Sequence, residues 1–242
     1  MAFEISISSP SLWPLPFRYA TVFRLLRSFG FKGVEMLLTT GVLKTHRQLV
    51  ASGDKMGLGL TFHRWWHDPL PVSRVMTALK FFPQPSVRLR DVLPGNFPRP
   101  VVLGSYIWEE RHDVSRVLIQ PVCYGHEGTV MPLATLVAKI KEEQLGVAFD
   151  VMHWLEYALG RDLPNNPSRL LAEACRGFDA LHPLVDEIHL YDFSQGKQGG
   201  LRWVKTTCWA GRVVWEISPV QVVKKPWRLP HLSRVTVQAL GL

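Results

Sequence analysis

Gly146-Val147-Ala148-Phe149-Asp150, followed by Val151-Met152-His153, is the stretch whose reading decides the fold. It is an unbroken apolar run of strand length that halts on a carboxylate, with an imidazole three residues on. A strand buried on both faces reads as such a continuous run, which is the mark of a parallel sheet covered by helices. The pattern recurs. Gly33-Val34-Glu35, Leu58-Gly59-Leu60-Thr61-Phe62-His63 and Val213-Val214-Trp215-Glu216 each stop on a metal-ligating side chain. Glu187-Ile188-His189-Leu190-Tyr191-Asp192 carries its His and Asp within the run. In an α/β barrel the C-terminal strand ends converge on one mouth, where gathered carboxylates and imidazoles would ligate a divalent metal.

Helical periodicity lies between these runs. Before Gly146, the stretch Thr129 to Gln144 puts Val130, Leu133, Leu136, Val137 and Ile140 on one face, opposite Lys139, Lys141, Glu142 and Glu143. After it, Pro167 suits the first turn of a helix reaching about His182, with Leu170, Leu171, Ala174, Phe178 and Leu181 inward. Strands seven and eight are expected at Val185 to Leu190 and Arg212 to Ile217, and a last helix at His231 to Leu240. Toward the N-terminus the alternation reads as strand Phe3 to Ser8, helix Tyr19 to Phe31 and strand Val34 to Leu37. There follow helix Val42 to Ser52 ending at Gly53, strand Leu58 to His63, and helix Val72 to Phe82 closed by Pro83 and Pro85.

The middle is less regular. Five prolines in segment 83–100 suit a long surface loop. Val101 to Ser105 and Val117 to Pro121 read as strands four and five, and Trp108 to Arg116 hardly accommodates a helix. The link from His189 to Glu216 is rich in Gly, Lys and Trp and has no helical apolar stripe. The expected fold is therefore a (β/α)8 TIM barrel, somewhat trimmed, with short or missing helices after strands 4 and 7. One domain spanning 1–242 suits this length. A doubly wound open sheet is the alternative, but no Gly-rich dinucleotide fingerprint or P-loop follows any strand.

Hydrophobic content of 47% with 20% charged residues is that of a globular chain. A formal net charge of +8 favours anionic partners such as phosphorylated sugars or nucleic acid, although the basic residues are scattered. Cys123, Cys175 and Cys208 lie far apart and form no C-x-x-C pair, which argues against a disulfide framework or a zinc knuckle. No apolar run approaches a membrane span, and the start, Met1-Ala2-Phe3-Glu4-Ile5, is unlike a signal peptide. The expectation is a cytoplasmic protein with no membrane partner.

An Asp at a strand end with a His three residues on can present both side chains to one cavity. Asp150 and His153 have this spacing, His189 sits at equivalent depth on the next strand, and Glu216 on the one after. Mixed nitrogen and carboxylate ligands suit Zn, Mn, Co or Fe better than Ca. Taken singly, a strand-end Asp is more often a helix N-cap and a strand His a core residue. Four in succession make the metal reading worth pursuing.

Phe31-Lys32-Gly33-Val34-Glu35, Gly146 through His153, Ile188-His189-Leu190-Tyr191-Asp192 and Trp215-Glu216-Ile217-Ser218-Pro219 resemble the xylose-isomerase-like TIM-barrel superfamily. That group includes sugar isomerases and epimerases, inosose dehydratases and the endonuclease IV group. The motifs resemble its G-x-x-G-V-E, L-x-x-D-x-x-H, H-x-x-D and x-E-x-P signatures, in order along most of the chain. The resemblance implies one divalent metal (Mn, Zn, Co or Fe, with Mg a further option) held by Asp150, His189 and Glu216. Strand five departs from the family's metal-binding Glu by offering Gln120, which brings no charge and cannot act as a base. His126 or Glu127 nearby could substitute, although Tyr124-Gly125-His126-Glu127-Gly128 reads better as a polar loop.

The function so implied is a sugar or sugar-phosphate isomerase or epimerase, with proton transfer next to a carbonyl. Glu216 and His153 are the expected catalytic residues, and Gln120, His63, Glu35, His126 and Asp192 are further metal or substrate contacts. The partner is then a small polyhydroxylated or phosphorylated substrate. A degenerate barrel that binds a ligand without turnover is the first alternative, favoured by Gln120. An endonuclease IV-like phosphodiesterase acting on nucleic acid is the second. It is weakened by Gly104 and Ser105 on strand four, by Gln120, and by the lack of Asp-x-His after Asp192. Trp65, Trp66 and Trp154, among nine tryptophans, are candidates to wall the mouth, and Arg64 and Lys197 to hold an anion.

Overall fold

A computed structural model describes residues 4–9, 18–65, 71–95, 97–105, 114–122, 130–191, 209–217 and 228–240. Eight parallel strands close into a barrel in sequence order: β1 (Glu4–Ser8), β2 (Gly33–Leu37), β3 (Gly59–His63), β4 (Phe97–Gly104), β5 (Val114–Gln120), β6 (Gly146–Asp150), β7 (Val185–Tyr191) and β8 (Arg212–Glu216). The helices are α1 (Tyr19–Ser28), α2 (Thr40–Lys55), α3 (Pro71–Ala78), α4 (Leu89–Val92), α5 (Leu133–Glu142), α6 (Val151–Leu159), α7 (Pro167–Leu181) and α8 (Arg228–Leu240). This is the TIM barrel that the alternation of apolar runs and helical stripes predicts. The connections after β4 and β7, expected to be short, lie outside the described residues.

By its internal contacts the chain forms two compact units, 1–36 with 46–60 and 187–242, and 37–45 with 61–186. In the first, β1 lies between β2 and β8, with Ser8 opposite Glu35 and Ile7 opposite Trp215. β7 runs beside β8 with Glu187 opposite Arg212, His189 opposite Val214 and Tyr191 opposite Glu216. Arg212 ties the strand starts together, donating to Glu4 Oε2 from Nη2 at 3.0 Å. The Trp215 indole N–H donates to Thr236 Oγ1 at 3.1 Å, which anchors α8 to β8.

In the second unit β3, β4, β5 and β6 run side by side, and Val102, Leu118 and Ala148 form a wholly apolar core cluster. Phe149, Trp154 and Phe178 stack β6, α6 and α7 together, with ring centroids 5.8 and 5.6 Å from Phe149. Gly177 makes this possible, because a Cβ there would lie 2.0 Å from the Trp154 ring. The N-caps follow the sequence. Asn166 accepts from Arg169 N ahead of Pro167, and Thr39 Oγ1 accepts from Val42 N.

Several boundaries correct the sequence reading. Helix α2 does not stop at Gly53 but runs to Lys55, since Gly53 sits against the Leu60 side chain and the left-handed Gly57 (φ 62) ends the turn. Helix α3 ends at Ala78, before the expected Phe82, because Lys80 adopts a left-handed backbone (φ 59). Segment 83–100 is not all loop: it holds α4 and the start of β4, whose pairing with β5 slips between Phe97 and Pro100, where prolines cannot donate to the ladder. Strand β5 begins at Val114 rather than Val117. Helix α6 had no counterpart in the sequence reading, because the apolar stretch from Val151 carries straight on from the strand with no breaker between them.

Candidate metal centre

In the first unit, Glu187 and His189 are two residues apart on β7, so both side chains point to the same face. His189 is fully buried, and three carboxylates surround its ring. Nε2 lies 3.0 Å from Glu187 Oε1 and 3.2 Å from Glu35 Oε2, while Nδ1 lies 3.1 Å from Glu216 Oε1. Glu35 is itself steadied by Ser8, whose hydroxyl donates to Oε1 at 2.9 Å. Each of these carboxylates is buried. Glu35 and Glu216 thus stand on opposite nitrogens of the ring, both at ion-pair distance.

This environment fixes the imidazole charge. Burial lowers the His189 pKa, but the charge of Glu35, hydrogen bonding with Glu187 and Glu216, and the Glu216 charge together hold it well above the usual imidazole value. Glu187 also has Arg212 Nη1 3.8 Å from its Oε2, and a divalent cation would further offset the buried charge of Glu35 and Glu216 around His189. The donor set also fits: hard carboxylate oxygens with an imidazole nitrogen suit Mn, Zn, Co or Fe. Glu35, His189 and Glu216 each offer one ligand atom, all within 4.8 Å of one another. A buried cluster that could bind a metal is therefore present.

In the second unit, Gln120 on β5 bridges two site residues. Its Nε2 donates to Asp150 Oδ2 at 3.0 Å, and its Oε1 lies 3.1 Å from His63 Nε2. All three are buried. The Trp65 indole N–H also approaches His63 Nε2, at 3.2 Å. That nitrogen can accept from Trp65 or donate to Gln120, but not both, so the His63 tautomer chooses between them. The other oxygen of Asp150, Oδ1, caps α6 by accepting from His153 N at 2.9 Å. The His153 ring faces Glu156, with Nδ1 3.5 Å from Oε2.

Glu35, expected as a metal or substrate contact, and Glu216, expected as ligand and base, both stand directly against the His189 ring. Sequence reasoning missed Glu187, although the Glu187-x-His189 spacing on a strand was a usable signal. Trp154 does not wall a mouth: it is buried between α6 and α7 and donates to Glu173 O at 3.1 Å. Arg64, a sequence candidate to hold an anion, is also buried, with Nη2 donating to Val87 O at 3.3 Å. His126, Glu127, Asp192, Trp66 and Lys197 lie outside the described residues.

Against solved structures the chain is similar to an AP endonuclease, family 2, from Brucella melitensis. The two share 15% identity and a TM-score of 0.54, over 95% of this chain and 98% of that one. It is similar also to a D-allulose 3-epimerase from Methylomonas sp., at 10% identity and a TM-score of 0.50, over 98% and 96%. The chain has the TIM-barrel fold. A probable 3-DHS dehydratase from Bacillus anthracis aligns over 96% of this chain and 98% of that one, at 12% identity and a TM-score of 0.49. No family model matches the sequence, and no curated protein matches it.

Proposed function

We propose that this chain is a metal-dependent isomerase or epimerase acting on a small polyhydroxylated or phosphorylated substrate, with Glu35, His189 and Glu216 holding one divalent ion. The observation that carries the reading is the fully buried His189 set among three carboxylates. Glu187 is then the residue that orients the ring, as carboxylates commonly do for metal-bound histidines. When bound, the ion would polarise a substrate carbonyl or hydroxyl and acidify the adjacent carbon. Glu216, 7% exposed at the end of β8, would take the proton from that carbon and return it to the neighbouring carbon on the same face, whereas epimerisation would need a second group to deliver the proton from the opposite face. The Mn, Zn, Co or Fe assignment follows from the same donor set.

Asp150 as a ligand and His153 as a proton carrier, the assignments made from the sequence, are tested separately by Asp150→Ala and His153→Ala variants. The direct experiment is exchange of the substrate carbon-bound hydrogen in heavy water, using a panel of ketoses, aldoses and their phosphates. Exchange that is abolished by chelation and by Glu216→Gln supports the reading. Exchange that survives both, or its absence across the panel with metal supplied, counts against it.

A second reading, a barrel that binds such a ligand without turnover, is favoured by one observation. Gln120 stands on β5 where the resemblance places a carboxylate, and its amide is committed to Asp150. Saturable sugar binding with no exchange is the result that selects it.

A further inference from the structure

The exposed face around the C-terminal end of α3 carries an inference separate from the metal cluster. Seven large hydrophobic side chains are exposed among the described residues, and three fall within one seven-residue stretch: Val75 at 56%, Leu79 at 66% and Phe81 at 40%. Val75 and Leu79 are one helical turn apart, and Leu79 N donates to Val75 O. The helix then closes with Lys80 N donating to Thr77 O and Phe81 N to Met76 O, the pattern of a Schellman cap.

The position that glycine usually fills in such a cap is held by Lys80, at φ 59. A lysine is thus kept in a disfavoured backbone conformation, exposed between the two most C-terminal apolar side chains. Most of the exposed charges along segment 74–91 are basic. Arg74, Lys80, Arg88 and Arg90 are basic, and the one acid of this stretch, Asp91, accepts from Arg88 N.

We propose that this surface docks reversibly on an anionic lipid bilayer. Val75, Leu79 and Phe81 would enter the boundary between headgroups and acyl chains, with the exposed Arg74 and Lys80 of the same stretch among the acidic headgroups. Charge complementarity selects this partner. A second copy of the chain would bring a like-charged surface against this one, from a molecule of net charge +8. A nucleic acid would match the cations, but of the three apolar side chains only Phe81 has a ring on which a base could stack. The sequence expectation of no membrane partner rested on the lack of a spanning run, and a surface contact needs none. Among the described residues no helix is long and apolar enough to cross a membrane.

The test is flotation of the purified full chain with phosphatidylcholine vesicles, with and without phosphatidylserine. Binding should require phosphatidylserine and weaken as salt rises. Leu79→Asp should lower it by roughly tenfold, and Arg74→Glu with Lys80→Glu by roughly 30-fold or more. Both sites are exposed, so unchanged thermal melting verifies that the variants fold. Lack of binding to acidic vesicles overturns the proposal, as does binding that neither variant alters. It is also overturned if the same substitutions abolish a concentration-dependent dimer or oligonucleotide binding while the chain ignores vesicles.

Discussion

Glu187 Oε1 and His189 Nε2 lie 3.0 Å apart on the same strand, so β7 supplies both a buried imidazole and the carboxylate that pins it. Glu35 and Glu216 approach the same ring from β2 and β8. Backbone alternation thus sets the ring orientation before any ligand arrives.

In the absence of metal this cluster makes stability depend on pH. The His189 pKa is raised on folding, so the native state holds a proton that the unfolded chain releases near pH 6.5. The contribution is therefore complete below that pH and is lost as pH rises from there through the folded value. Urea unfolding in chelator should show stability falling above pH 6.5 by up to about 1.4 kcal/mol per pH unit. His189→Gln should flatten that slope, and an equally steep slope in the variant would count against the assignment.

Gln120 should matter to folding as well as to chemistry. Replacing it with Leu removes the amide that donates to buried Asp150 and should cost about 1–3 kcal/mol. Gln120→Glu sets two carboxylates against each other and should cost more at neutral pH than at pH 4, where one is protonated. Denaturant midpoints at the two pH values measure both effects.

Gly177→Ala should destabilise, although alanine is the better helix former by about 1 kcal/mol. Its Cβ would sit 2.0 Å from Trp154, between α6 and α7. A lowered melting temperature, with loss of the Trp154 near-ultraviolet signal, is the expected result.

Lys80→Gly should raise stability by about 1 kcal/mol, by relieving a left-handed non-glycine residue at the α3 cap. Thermal unfolding measures this without reference to any partner.

The barrel was legible because buried parallel strands leave a signal that few other elements imitate. Val147-Ala148-Phe149-Asp150 and Val213-Val214-Trp215-Glu216 lie on β6 and β8 as expected. Helix α6 was not legible, since Asp150 reads equally as a strand-end ligand and as an N-cap, and it does cap the helix. The crowding around His189 was only partly legible. Glu35 is more than 150 positions away in sequence, and only barrel closure between β1, β2, β7 and β8 brings it to the ring. Arg64 and Trp154 were misplaced because amphipathic side chains next to strand ends look the same in sequence whether exposed or buried.

The central claim is that the carboxylates around His189 hold a divalent ion, and metal stoichiometry tests it most directly. The purified full chain, stripped by chelation and titrated calorimetrically with Mn, Zn, Co and Fe in turn, should bind one ion per chain. That binding should vanish in both Glu35→Gln and His189→Ala. A wild-type chain that binds none of these ions, or variants that bind as the wild type does, would contradict the account.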